Sequence, residues 1–244
     1  MKIALFPTCL VSNFRPRVAR CAELVLQRLG HQVVRIDQGG CCGQPAHSAG
    51  SPQEARRVGR LWLRNNETEA DYLVIPSGSC TSMVRNHLHH YLPQEDVQRA
   101  SGLASRTYEF SEFLVEVLKA EDVGASRRGR AAYHASCHLL RDLGVKSAPL
   151  QLLEKVEGLE LVPLPKHDEC CGFGGVFSVL YPEVSSAMAA DKISHLEASG
   201  AETLILNDTG CLLQIEGVLK KRGLERLRVR HLAEILAGGE ETHG

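Results

Sequence analysis

The chain has 244 residues, of which 43% are hydrophobic and 23% are charged, and its formal net charge is −1. This length fits one large domain or two of about 120 residues, and the composition is that of an ordinary globular protein. A net charge near zero provides no basic field for nucleic acid, and no apolar run approaches the roughly 20 residues that span a bilayer. The apolar start is too short for a secretory signal, so a cytoplasmic location is predicted.

Short apolar strands alternate with amphipathic helices in the first half of the chain. Strands are predicted at 3–6, 31–36, 71–76 and 107–110, and helices at 18–29, 52–64, 83–91 and 110–118. The polar stretch 120–129 follows and is predicted to link this half to the next.

The second half repeats this order. Strands are predicted at 131–134, 159–164, 203–206 and 227–231, and helices at 147–156, 183–198, 212–222 and 232–237. The alternation predicts an α/β fold of two homologous Rossmann-like halves with parallel sheets, related by a pseudo-two-fold. The halves span residues 1–120 and 130–237, and the tail 238–244 is predicted to fray.

Eight of the nine cysteines form two sets with the same spacing. The first set is Cys9, Cys41, Cys42 and Cys80, and the second is Cys137, Cys170, Cys171 and Cys211. A shift of 128 to 131 residues lays one set on the other. Each set therefore has three separated positions, one of them doubled, which is how a fold gathers four thiols around one point.

The position of these cysteines indicates a binding site. Four of them come just after predicted strands, and ligands bind at the carboxyl edge of open α/β sheets: Cys9, Cys80, Cys137 and Cys211. Each cysteine pair is followed by a glycine, Gly43 or Gly172. Glycine permits a positive φ, so the loop can bend until both neighbouring thiols face one centre.

The cysteine sets have three candidate roles: disulfide bonds, iron–sulfur ligands and structural zinc ligands. Patterned cysteines in a reducing compartment are more often metal-binding or catalytic than disulfide-bonded. Iron–sulfur clusters commonly take four thiolates, and each set supplies four. Structural zinc is the alternative, although zinc sites usually contain short Cys-x2–4-Cys pairs, which neither set has. The ninth cysteine, Cys21, falls on the apolar face of a helix and is predicted to be a small buried hydrophobe.

Polar residues flank the first cysteine of the second set. His134, His138 and Arg141 lie within a few residues of Cys137. They are predicted to donate hydrogen bonds to cluster sulfurs and so to tune a reduction potential, with a purely structural role as the alternative.

These segments resemble a known family. The doubled pattern, with 167–175 reading HDECCGFGG and 76–80 reading PSGSC, resembles the CCG cysteine-rich domain family. That family includes the B subunit of heterodisulfide reductase and the iron–sulfur subunits of glycolate and glycerol-3-phosphate oxidation complexes. Residues 133–140 and 41–45 are also similar to its motifs, and the resemblance covers nearly the whole chain.

The resemblance implies two CCG domains, at 1–120 and 130–237, whose eight patterned cysteines hold one or two iron–sulfur clusters of the [4Fe–4S] type. It implies an electron-transfer subunit, part of an oxidoreductase, that works with partner subunits in the oxidation of L-lactate to pyruvate. Peripheral membrane association through those partners is a further expectation. The rival hypothesis is a thiol/disulfide oxidoreductase in which the cluster is the catalytic site, and a third is a zinc-stabilised adaptor.

The chain departs from the fullest form of the family motif, which ends in Cys-x-x-Cys. Met83 and Gln214 stand where a fifth cysteine of each set would be. We therefore expect four-thiolate centres in place of five-thiolate clusters.

Overall fold

Two four-stranded sheets, parallel throughout, form the frame of the molecule in a computed structural model that describes residues 1–36 and 39–238. The first sheet has the order β2-β1-β3-β4 and contains β1 (Lys2–Leu5), β2 (Gln32–Arg35), β3 (Tyr72–Ile75) and β4 (Thr107–Glu109). The second has the order β6-β5-β7-β8 and contains β5 (Ser126–Tyr133), β6 (Glu157–Leu161), β7 (Thr203–Leu206) and β8 (Arg228–His231). The predicted α/β class with two parallel sheets is confirmed.

Helices connect the strands in both halves. The first half has α1 (Cys9–Phe14), α2 (Pro16–Arg28), α3 (Gln44–Ser48), α4 (Pro52–Asn65), α5 (Gly78–Ser82), α6 (Leu88–Tyr91), α7 (Gln94–Ala104) and α8 (Phe110–Glu112). The second has α9 (Ala148–Glu154), α10 (Phe177–Leu180), α11 (Pro182–Ser199), α12 (Thr209–Lys221) and α13 (Leu232–Ala237). Single π-helical turns cover Met83–His87, Phe113–Val117 and His138–Asp142. Among the residues described, no helix has both the length and the apolar character to cross a bilayer.

The long helices start where the sequence provides a proline. Pro16, Pro52 and Pro182 each occupy the first position of a helix, where the missing N–H costs nothing and the fixed φ suits the helix. The apolar positions of α2 are buried, as its periodicity predicts. Predicted helices 18–29 and 52–64 therefore match α2 and α4 to within two residues.

Both sheets bury both of their faces. Along β1, Ile3 and Leu5 contact a central core, whereas Ala4 and Phe6 contact an outer core on the opposite face. The central core lies between the two sheets and includes α2 of the first half and α13 of the second. The two halves therefore share a hydrophobic core, while each also has an outer core of its own.

The structure differs from the predicted elements in two respects. Strand β5 begins at Ser126, five residues before its predicted start and inside the stretch predicted as a linker. Its first residues are arginine-rich and mostly exposed, so they lack the apolar pattern by which a strand is recognised. The sequence does not predict the short helices α1, α3, α5 and α10, or helix α7. The fraying predicted for the tail concerns residues that, beyond Gly238, lie outside the described part of the chain.

Candidate metal centres

One cavity of about 340 Å³ between the two halves is lined by all eight patterned cysteines. Cys9 opens α1, Cys80 lies in α5 and Cys211 lies in the first turn of α12, each a few residues past a strand. Cys137 immediately precedes a π-helical turn, a feature frequent at functional sites. The parallel sheets thus carry both cysteine sets to their carboxyl edges, which face each other across the cavity.

The first set is held by short loops and local caps. The thiol of Cys42 donates to Cys80 Sγ at 3.3 Å, and the backbone N–H of Gly43 lies 3.5 Å from Cys41 Sγ. Gly43 has a φ of +96°, which bends the loop so that both paired thiols face the same side. Ser77 Oγ accepts from the N–H of Cys80 and so fixes the start of α5.

The second set repeats this geometry. The N–H of Gly172 lies 3.4 Å from Cys170 Sγ, and Gly172 has a φ of +85°. Cys171 and Cys211 are both buried. The positive φ that the sequence predicts after each cysteine pair is therefore present in both halves.

Hydrogen bonds between the thiols of each set shift their pKa values in opposite directions. Hydrogen bonds from Cys42 and Cys9 hold the pKa of Cys41 well below its usual range. The hydrogen bond to Cys41 and burial raise the pKa of Cys9. In the second set, hydrogen bonds from Cys137 and Cys171 likewise lower the pKa of Cys170. Each set thus stabilises a central thiolate, the form in which cysteine binds metals.

No disulfide forms among the nine cysteines, all of which lie in described residues. Cys21 is buried on α2 within the central core, away from both sets. Met83, at one of the positions of a missing fifth cysteine, is buried in the outer core of the first half. Gln214, at the other, donates to Ser185 Oγ at 2.7 Å and ties α12 to α11.

The three polar residues predicted around Cys137 occupy different surroundings. His134 is buried beside the second set, and its Nδ1 lies 3.1 Å from the carbonyl oxygen of His167. His138 lies at the cavity wall with Nδ1 3.5 Å from Cys137 Sγ. Arg141 donates to the carbonyl oxygen of Asp168, just before the paired cysteines, and so contacts the loop and not a thiol.

Sequence reasoning missed two polar residues of this region. Asp208 is 4% exposed and lines the cavity, and its Oδ1 accepts from the Ser77 and Ser79 hydroxyls of the other half at 2.7 Å each. Lys192 is 1% exposed on α11 and donates to the carbonyl oxygen of Lys166. For Lys192, the sign available in the sequence was a lysine that stands among the apolar positions of an amphipathic helix.

The donor chemistry fits a metal centre in each half. The four thiols of each set line the same cavity, and the second set adds the Nε2 atom of His134, which is buried without a regular hydrogen-bond partner. Buried polar atoms in proteins are almost always satisfied, so an orphan beside thiols indicates a missing ligand. Thiolates and imidazole are the donors that iron–sulfur clusters and zinc take.

A two-part α/β fold with a cysteine set at the carboxyl edge of each sheet defines a class of two-domain, cysteine-rich proteins. The chain belongs to the CCG cysteine-rich domain family, whose profile matches residues 3–85 and 131–216.

Two named relatives have sequences similar to almost the full chain. "Lactate utilization protein A" of Geobacillus kaustophilus is 48% identical over 238 residues, which cover 97% of this chain and 98% of that protein. The protein of the same name from Halalkalibacterium halodurans is 43% identical and covers 99% of both chains. Among solved structures, glutamate racemase RacE1 of Bacillus anthracis aligns with 97% of this chain and 78% of its own at a TM-score of 0.38 and 13% identity.

Proposed function

We propose that this protein is the iron–sulfur electron-transfer subunit of a system that oxidises L-lactate to pyruvate. The observation that carries the proposal is the convergence of two four-cysteine sets on one cavity. The family and the printed name of the relatives support the substrate. We propose two CCG domains at 1–120 and 130–237, each holding one [4Fe–4S] cluster through its four patterned cysteines.

When bound, such clusters supply one-electron transfer. The chain's own residues would hold the clusters and set their surroundings. The N–H groups of Gly43 and Gly172 point at the Cys41 and Cys170 sulfurs and stabilise negative charge there. Burial of Cys42 and Cys171 keeps water from one side of each set. His138 and Arg141 are proposed to tune the second centre, His138 directly and Arg141 through the loop it holds.

Partner subunits complete the proposed reaction. The sequence has no flavin or nicotinamide fingerprint. Lactate oxidation removes two electrons, so we propose that a partner subunit takes them from lactate and passes them to these clusters one at a time. The location proposed is the cytoplasm, with peripheral membrane association through the partners.

The first test is metal content. Protein purified without oxygen should contain iron and acid-labile sulfide and give an EPR signal on reduction. Cys171→Ser should lose roughly half of the iron, because a hydroxyl is a harder and much less acidic ligand than a thiol. Cys21→Ser is the matched control and should keep all of it. Zinc in place of iron would contradict the proposal and favour the adaptor.

The second test is electron flow. In a complex reconstituted with its partner subunits, lactate-driven dye reduction should follow the iron content of each variant. Full activity of a Cys171→Ser protein that lacks iron in its second half would remove that centre from the electron path.

A thiol/disulfide oxidoreductase remains the second candidate function, because the cavity faces both cysteine sets and has room for a small molecule. The two functions differ in what reoxidises the reduced protein. Reoxidation by a disulfide without any partner subunit favours the second candidate, and reoxidation only through the partners favours electron transfer.

A further inference from the structure

His134 gives the second cysteine set a donor that the first set lacks. The residue lies three positions before Cys137, and the residue three positions before Cys9 is Phe6. Phe6 packs edge-on against Trp62 in the outer core, with ring centroids 5.5 Å apart. His134 is 1% exposed and lies beside the thiols of its own half. The repeat has therefore replaced an apolar ring with an imidazole at one of two equivalent positions.

The hydrogen bond of His134 determines which ring nitrogen is free. Nδ1 lies 3.1 Å from the carbonyl oxygen of His167, which can only accept, so Nδ1 carries the hydrogen. In the neutral ring Nε2 then has a lone pair and no hydrogen. A histidine that donates from one nitrogen to a backbone carbonyl and offers the other is the usual arrangement of a metal ligand.

The imidazole of His134 lies beside two thiols of its own set. A ring nitrogen of His134, Cys171 Sγ and Cys211 Sγ all lie within 4.8 Å of one another, and all three residues are buried. Nε2 is buried and makes no regular hydrogen bond. Ligand atoms of one metal are separated by roughly 3.5 Å, so His134 is within reach of the centre that Cys171 and Cys211 would hold.

We propose that His134 Nε2 binds an iron atom of the second-half centre directly, so that this centre is cysteine–histidine while the first is all-cysteine. The inference rests on the proposed iron–sulfur function. Each iron of a [4Fe–4S] cluster takes one protein ligand, so His134, just past β5, would take the place of one thiolate of the second set. A hydrogen bond from His134 to a cluster sulfur, as the sequence predicts, would require the hydrogen on Nε2.

The test uses pulsed EPR on the reduced, anaerobically purified full-length protein, with natural and ¹⁵N-labelled histidine. The wild type should show the strong coupling of a directly bonded nitrogen, which changes to a ¹⁵N coupling on labelling. The coupling should vanish in His134→Ala. It should also vanish in His134→Phe, which copies the first half and keeps the volume of the site filled.

One control variant and three contrary results decide the outcome. His138→Ala, whose imidazole is 3.5 Å from Cys137, should keep the coupling. Loss of the coupling in His138→Ala and its persistence in His134→Phe would overturn the inference. So would a wild type with full iron and sulfide that shows only the weak coupling of a nitrogen hydrogen-bonded to sulfur. A wild type without iron would overturn the proposed function itself, and metal analysis of the same sample separates these cases.

Discussion

Lys192 and Trp62 occupy equivalent positions, ten residues after the prolines that begin α11 and α4. Trp62 packs against Phe6, so the first cysteine set is backed by aromatic rings. Lys192 is buried behind the second set. Burial lowers the pKa of Lys192, and the charges of Glu169 and Cys171 offset part of this shift. The two centres therefore have different electrostatic surroundings although their cysteines are arranged alike.

Lys192→Met should lower the reduction potential of the second-half centre. A buried positive charge favours the reduced state, because reduction adds negative charge to the centre. A charge interaction of about 1 kcal/mol corresponds to roughly 40 mV for one electron, so a shift of tens of millivolts is expected. An EPR-monitored redox titration measures it. Lys221→Met, at the exposed end of α12, should leave both potentials unchanged.

At this scale the sequence points to the cysteines and to the histidines around Cys137, but not to Asp208 or Lys192. The eight thiols repeat in the sequence, and each follows a recognisable strand or belongs to a pair that precedes a glycine, so their pattern is visible without coordinates. Asp208 and Lys192 act through contacts with residues far along the chain, Ser79 and Lys166. Such contacts depend on how helices and halves pack, which no local pattern records.

The two loops that follow the cysteine pairs have the same backbone bend but different neighbours. A Cβ built on Gly172 would lie 2.5 Å from the carbonyl oxygen of Ser185 in α11. A Cβ on Gly43 would meet nothing closer than Met83 Cε, at 3.4 Å. Both glycines have positive φ, so alanine is strained at either position, but only the second loop lies tightly against a helix backbone.

Gly172→Ala should therefore lower the unfolding free energy clearly more than Gly43→Ala does. The strain of a positive φ alone costs about 1–2 kcal/mol of unfolding free energy, which is the loss expected for Gly43→Ala. Gly172→Ala must also move the loop or α11, so its loss should be larger, with reduced iron binding in the second half. Urea unfolding and iron analysis of both variants test this. Equal losses would show that the contact with Ser185 is easily relieved.

Element prediction succeeded where a helix or strand has its own periodic pattern. Helices α2 and α4 are amphipathic, begin at proline and were found nearly to the residue. Helix α1 has six residues and its only buried one is Val11, so it has no periodicity to detect. The start of β5 is defined by pairing with β6, beginning at Ser126 and Glu157, and its exposed arginines give no apolar alternation. The start of this strand is therefore determined by pairing between distant segments and not by the local sequence.

At the scale of the whole molecule, a buried polar network joins the halves beneath the cavity. Asn207, at the end of β7, donates to Glu109 Oε1 at 2.9 Å and accepts from the Tyr133 hydroxyl at 2.9 Å. His231 Nε2 lies 3.1 Å from the carbonyl oxygen of Pro76 in the other half. The network therefore positions the segments that lead into Cys80 and Cys211.

Glu109→Gln should change how stability depends on pH. Burial raises the pKa of Glu109 to about 7, above the roughly 4.3 of an unfolded chain. Between these values the folded protein keeps a proton that the unfolded chain releases, so this carboxyl makes the protein less stable as pH rises. From pH 5 to pH 8 the unfolding free energy of the variant should gain roughly 2–3 kcal/mol relative to the wild type.

Urea unfolding at pH 5 and at pH 8 measures how the difference in unfolding free energy between variant and wild type changes with pH. A difference caused by the altered hydrogen bond from Asn207 is the same at both pH values and cancels in this comparison. Glu116→Gln, on the exposed part of a π-helical turn, should show no such gain. A Glu109→Gln protein whose stability follows the wild type at both pH values would mean that Glu109 is ionised throughout.

Glu109 and His231 occupy matching positions in the two halves. Each is the last residue of the fourth strand of its half, and each begins a capping box with a glutamate three residues on, Glu112 or Glu234. Two identical copies of an ancestral half would have met across their interface with the same residue at both positions. In this chain the two positions differ, one an acid and the other a base. Each now reaches a different group of the other half: Glu109 accepts from Asn207 Nδ2, whereas His231 Nε2 lies 3.1 Å from the carbonyl oxygen of Pro76, so the two halves are no longer interchangeable.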